Sequence, residues 1–287
     1  MTEPARCAAS CKTSMKSTHA TTDMARSSRT KTWAITTHFI RRELRSRYLG
    51  SLSGSVWALL QPLMQLAIYA FVWTYVFKMR LPGDDAAQTA IVPFLALGVW
   101  PWNAFSEAVM RSATAIQDNA GLVGKVAFPH GVLVVAASSA SFLLHGVGFA
   151  VVLIVIELLG IPVRFVMLPL ALLAFAMLYV LALGFGYLFA ATQVFVRDLS
   201  QVLGQLLPLM MFTAPVLYSR DFLPERFRPW LDWNPFTFYP EYFRAKLLGI
   251  GSVEIGAQIV ALCVALGVYA LGRMVFRRLT ARFEDFL

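Results

Sequence analysis

Ala115-Ile-Gln-Asp-Asn-Ala-Gly-Leu-Val-Gly-Lys-Val-Ala-Phe-Pro129 is a polar, glycine-bearing interruption between two long apolar runs, and its reading decides the fold. It is too short to fold alone. Asp118-Asn119 favours a turn or a helix cap, and Leu122, Val123, Val126 and Phe128 then offer an apolar ridge. Phe128-Pro129 closes the stretch, because the residue before a proline is pushed out of the helical region. The pattern predicts a short helix held between two spans and lying against a partner that pushes on it. A solvated turn between spans is the other reading of the same residues.

The flanks are apolar because the whole chain is. Of its 287 residues 58% are hydrophobic and 14% charged, where a soluble domain carries nearer a quarter charged residues. This composition predicts a polytopic, all-α integral membrane protein. Six apolar runs satisfy it: Val56–Phe77, Ile91–Met110, Val132–Leu159, Phe165–Phe195, Val202–Tyr218 and Ile255–Val275. All but the fifth have roughly the twenty residues needed to cross about 30 Å of hydrocarbon. The fifth is shorter and carries Pro208 and Pro215, so a break or kink is expected there.

Basic residues orient the spans. Most Lys and Arg fall on the side of the amino terminus, with Arg41, Arg42, Arg45 and Arg47 just before the first span and Arg273, Arg277, Arg278 and Arg282 after the last. Both termini, and the Ala115–Pro129 loop, are expected on the cytoplasmic side of a bacterial inner membrane. Residues 1–31 read as a disordered basic tail, and 32–287 as the transmembrane domain. Between them, Trp33, Ile40, Leu44 and Tyr48 recur at helical spacing with Arg41, Arg42 and Arg45 facing elsewhere. Such a helix suits the headgroup layer of membrane lipids; docking on protein alone is the alternative.

Residues 219–251 face the other side and pack nine aromatic rings among Pro224, Pro229, Pro235 and Pro240. A water-exposed loop does not carry so many rings. They predict short re-entrant helices at the outer interface, with Pro215, Tyr218, Trp230, Trp233 and Tyr239 as gate or anchor.

The chemistry available is narrow. Gly124-Lys125 has Asn119 where a phosphate loop needs glycine and Val126 where it needs Ser or Thr. No paired carboxylates or Ser-His-Asp set falls on one side of the membrane, and the four histidines are scattered, with only His145 in mid-span. Cys7 and Cys11 lack further metal ligands nearby. The chain is not expected to be an enzyme or to hold a cofactor. Nor is nucleic acid an expected partner. On the first span Trp57, Gln61, Gln65, Tyr69 and Trp73 recur every fourth residue, a winding ribbon of rings and amides. It suits either helix–helix hydrogen bonding or the wall of a channel for sugars. Glu107 and Arg111 stand one turn apart and can pair, and Asp198-Leu-Ser-Gln201 has capping-box spacing.

Several stretches together resemble a known family. They are Arg47-Tyr48 running into Val56-Trp-Ala-Leu-Leu-Gln-Pro62, Gly98-Val-Trp-Pro-Trp-Asn103, Asn119 to Pro129, Arg197-Asp198, Ala214-Pro-Val-Leu-Tyr218, and Leu223-Pro-Glu with Asn234-Pro235. Their order and spacing resemble the ABC-2 type permeases that export lipid-linked polysaccharides such as O-antigen, capsule and wall teichoic acid. The resemblance implies a homodimer of six-span subunits on two copies of an ABC ATPase, which holds the ATP and magnesium, with a lipid-linked glycan as substrate. It also implies a coupling helix at Gln117–Phe128, with Asn119, Leu122, Val123, Lys125, Phe128 and Pro129 meeting the ATPase. The amino-terminal interfacial helix falls at Thr32–Tyr48 and the outer gate at Phe222–Leu248. An ABC-2 permease for a drug or lipid is a rival reading, and a membrane-embedded transferase a more distant one.

Overall fold

A computed structural model of the chain describes residues 32–46, 54–78, 91–125, 128–283 and 286, with the backbone alone for 54–59. Among them every regular element is helical. Helix α1 covers residues 32–46. Helix α2, Gly54–Phe71, runs on as a π-helical stretch, Val72–Val76. Helix α3, Ile91–Thr114, is followed by a 3-10 turn, Gln117–Asn119, and the four-residue α4, Ala120–Val123. Then come α5, Gly131–Leu158, α6, Leu168–Gln193, and α7, Leu199–Thr213. The aromatic segment holds α8, Arg228–Leu231, and α9, Phe238–Phe243, which passes into a second π-helical stretch, Arg244–Leu248. Helix α10, Ile255–Thr280, comes last.

The helices fall where the apolar runs lie. Three stretches, Gly131–Leu158, Phe165–Gln193 and Ile255–Thr280, are long and apolar enough to cross a membrane by length and composition. Helix α7 is shorter than its apolar run. It passes through Pro208 and stops at Thr213, just before Ala214-Pro215. Its fifteen residues reach about 22 Å at 1.5 Å per residue. Asp198 stands at its N-cap position, but the side chain caps nothing. The backbone there is already helical, which turns the carboxylate away from the first amides, and the capping-box reading is corrected accordingly.

Helix α3 is the axis of the packing. It lies against both α5 and α6, and Leu95, Leu97, Trp100 and Phe105 are fully buried along it. Helix α10 lies along α6. The outward faces of α5, α6 and α10 are apolar, as at Val147, Ile154, Leu172, Leu173, Ile259 and Leu266. A soluble monomer seldom exposes such a continuous apolar surface. In hydrocarbon, helix contacts gain little from burying more hydrocarbon, so close packing of small residues decides them. Gly184 of α6 and Gly272 of α10 fill that role. A Cβ on Gly184 would meet the backbone of Tyr269, and one on Gly272 the carbonyl oxygen of Gly184. At the same crossing Tyr187 meets Tyr269 and Phe276 edge to face, at 6.1 and 5.2 Å between ring centroids.

Candidate functional site

Two sites come together, one along the flank of α3 and one at the Ala115–Pro129 loop. Helical spacing puts Asn103, Glu107 and Arg111 on one face of α3, and this face forms a wall of a groove of about 800 Å³. Gln61, Gln65 and Tyr69 of α2 stand opposite, and Leu203, Leu207 and Met211 of α7 contribute an apolar side. Asn103 Nδ2 donates to Gln65 Oε1 at 3.0 Å, and Gln65 Nε2 to the Tyr69 hydroxyl at 3.2 Å. These amides are therefore aligned by one another while still facing the groove. Three of the five ribbon residues, Gln61, Gln65 and Tyr69, line it. Trp73 does not: the π-helical stretch carries it onto Phe77, 5.0 Å between ring centroids. The side chain of Trp57 lies outside the described residues.

The charged end of the groove was only half legible. Glu107 and Arg111 do pair, at 2.9 Å. Glu107 also meets the buried His145 of α5 at 2.7 Å and accepts from Ser141 at 3.4 Å. Arg111 reaches on to Glu43 of α1 at 3.6 Å. His145 is 4% exposed, and its backbone carbonyl accepts the Trp100 indole N–H at 2.9 Å. One chain of polar contacts thus runs from α1 through α3 to α5. The sequence showed the pair within α3; the partners on α1 and α5 lie dozens of residues away and left no local signal.

At the loop, Gln117 and the buried Gln193 exchange amide hydrogen bonds. Gln117 Nε2 donates to the Gln193 backbone carbonyl at 2.8 Å, and Gln193 Nε2 to Gln117 Oε1 at 3.0 Å. Gln193 also donates to the Arg197 carbonyl at 2.9 Å, so the loop is tied to the turn between α6 and α7. Helix α1 holds it from the other side. Arg42 donates to Asn119 Oδ1, and Phe39 stacks on Phe128 at 5.6 Å between ring centroids. Leu122 is half-buried, and Lys125 and Pro129 are exposed. Val123 departs from the expectation that it meets a partner. It is 3% exposed and packs with Ile116, Leu133 and Val134, because α4 has a single turn and must turn one side inward. Phe128 likewise packs on α1 rather than standing free.

Along α1, Ile40 and Leu44 are half-buried, whereas Arg41, Arg42 and Arg45 are exposed. Trp33 is exposed as well. Tyr48 lies outside the described residues.

In the aromatic segment the five residues read as gate or anchor divide. Trp230 and Trp233 are 73% and 88% exposed. Pro215 and Tyr239 are buried, and Tyr218 is half-buried with its hydroxyl on the Phe212 carbonyl at 2.9 Å. Pro215 and Tyr239 therefore do not face outward, since the segment folds back over them. Beside them is a residue the sequence reading passed over. Arg244, 3% exposed, donates through Nε to the Phe94 carbonyl at 2.9 Å, through Nη1 to Pro215 at 2.6 Å and through Nη2 to Val216 at 2.5 Å. Burial pulls its pKa down to about 9, with Glu241 opposing, so it remains a cation at neutral pH. Burial also raises the Glu241 carboxyl, against the pull of Arg220 and Arg244.

The profile of the ABC-2 type transporter family matches residues 36–248. The chain is 23% identical over 251 residues to the O-antigen export system permease protein RfbA of Klebsiella pneumoniae, covering 86% of this chain and 92% of the relative. To RfbA of Myxococcus xanthus it is 33% identical over 187 residues, 62% of this chain and 66% of the relative. To the polysialic acid transport protein KpsM of Escherichia coli it is 23% identical over 236 residues, covering 79% and 89%.

Proposed function

Since this chain belongs to the ABC-2 type transporter family, we propose that it is the permease subunit of an ATP-driven exporter of lipid-linked polysaccharide. Two subunits and two ATPase copies make the working unit in the inner membrane, with both termini cytoplasmic. Helices α2, α3, α5, α6, α7 and α10 are its six spans, α1 lies in the inner headgroup layer, and residues 222–248 re-enter at the outer face.

The observation that carries the reading is the groove. It sets the amides of Gln61, Gln65 and Asn103 beside the Tyr69 ring along the second half of α3, with Asn103, Gln65 and Tyr69 aligned by their own hydrogen bonds. Amides that hydrogen-bond and rings that stack are what hydroxyl-rich sugar chains use. One subunit offers one wall, so a second copy facing it makes a channel with polar lining. Helices α2 and α7 border the groove, and a lipid-borne substrate enters between them. Deleting the gene is expected to leave glycan on its lipid carrier inside the cell, and plasmid-borne protein to restore it to the surface. Surface glycan unchanged in the deletion strain refutes the reading.

Trp230 and Trp233 are the outer anchors. Their exposure of 73% and 88% suits indoles at headgroup level, where one edge is apolar and the other wet. The double substitution to alanine is expected to lower export several-fold, while phenylalanine at both positions retains most of it. Normal surface glycan in the alanine variant removes the anchoring role.

A further inference from the structure

The aromatic segment is built over a buried cation. Arg244 sits at the point where α9 passes into the π-helical stretch Arg244–Leu248, a local widening often found at functional positions. Its three hydrogen bonds reach two separate parts of the chain. The Phe94 carbonyl belongs to the first turn of α3, some 150 residues away. The Pro215 and Val216 carbonyls belong to the break that follows α7. Helix α7 has ended at Thr213 and Pro215 has no N–H, so the chain cannot continue a ladder there. Among the described residues no backbone N–H is directed at either of these two carbonyls. The guanidinium takes both, and lies over the Phe94 ring at 3.5 Å.

The surroundings leave no room for a substitute. A Cβ on Gly98 would collide with the Val216 carbonyl oxygen and with Arg244 Nη2. Gly98 is thus bare where α3 passes the guanidinium. Lysine presents a point charge on a flexible stem and cannot span three carbonyls as the planar fork does. A buried charge is also a costly way to join three segments that apolar packing can join. Its use where α3, the α7 break and the outer segment meet points to a specified geometry rather than to general cohesion.

We propose that Arg244 is a positioning residue for transport: it pins the outer segment to α3 and to the end of α7, and thereby sets the closed position of the outer opening. The inference rests on the reading of residues 222–248 as an outer gate. While the pin holds, the outer end stays shut; movement of α3 against α7 during export strains the fork and frees the segment.

The test uses the complete permease–ATPase complex in lipid vesicles, with leak of a small ion measured without ATP. Arg244→Gln is expected to raise the leak per inserted complex by about tenfold or more, the factor by which losing even one charge-assisted bond shifts an open–closed equilibrium. Arg244→Lys is expected to fall between that variant and the wild type. Gly98→Ala keeps the arginine but displaces it, and should leak in the same direction. If Arg244→Gln does not insert, the lysine and Gly98 variants decide the matter. A role in cohesion alone lowers the amount of inserted complex and leaves the leak per complex unchanged, which overturns the proposal. Phe236→Ala, in the same segment but away from the fork, separates the two readings. Leak from it with none from the Arg244 and Gly98 variants removes the pin and keeps the gate. No leak from any of the four removes both.

Discussion

Gly272→Leu is expected to remove nearly all folded protein from the membrane, whereas Gly267→Leu, five residues earlier on α10, is expected to be tolerated. The contrast comes from the α6–α10 crossing. A first side-chain carbon at position 272 would lie on the carbonyl oxygen of Gly184, and the next nearest atoms are also backbone. Backbone cannot rotate aside as a side chain can, so the helices must separate. Separation also opens the Tyr187–Tyr269 and Tyr187–Phe276 contacts and the packing around Phe276 and Phe283. Overpacking a close contact costs about 3 kcal/mol or more when nothing can yield, about a hundredfold in the folded population. A Cβ on Gly267 would have no neighbouring atom within 4 Å, so leucine there projects into open space. Membrane abundance and thermal stability of the two purified variants check this. Equal abundance of both means the crossing is looser than its contacts indicate.

What the sequence made legible follows from how each feature is encoded. Apolar runs of span length are a local property, so the helices lie where hydropathy placed them. The end of α7 before Pro215 was also local. The inward turn of Val123 was not, because a one-turn helix offers too little periodicity to choose a face and its neighbours Ile116, Leu133 and Val134 decide. His145 looked isolated because its partner Glu107 lies on another helix. Arg244 was the hardest to see, since it binds backbone carbonyls, and carbonyls carry no residue identity for a reader to match. Its only signal was a basic residue directly after Phe243 in a ring-rich run, and Glu241 and Lys246 close by made it look like one of an ordinary group of charges.

Changing Leu122 to Ala and Lys125 to Glu together is expected to leave the permease folded but to separate ATP hydrolysis from export. Of the residues expected to meet the ATPase, these two combine access with the right chemistry. Lys125 is exposed and Leu122 half-buried, whereas Val123 and Phe128 are occupied within the chain. Apolar anchors at an interface lose about 2 kcal/mol or more on truncation. A rim lysine acts more on association and its salt dependence. The loop can transmit force because it is held on both sides, by the Gln117–Gln193 amide pair and by the Phe39–Phe128 stack with Arg42 on Asn119. Phe39→Ala with Phe128→Ala therefore has a different expected result: the ATPase still docks, yet the loop slips against α1 and export falls. The first pair should reduce co-purified ATPase at raised salt, and the second should not. ATPase activity, ATPase recovery and surface glycan measured side by side for both pairs decide between grip and transmission. Full export from both pairs makes the loop a plain connector, and the force must then enter the spans elsewhere.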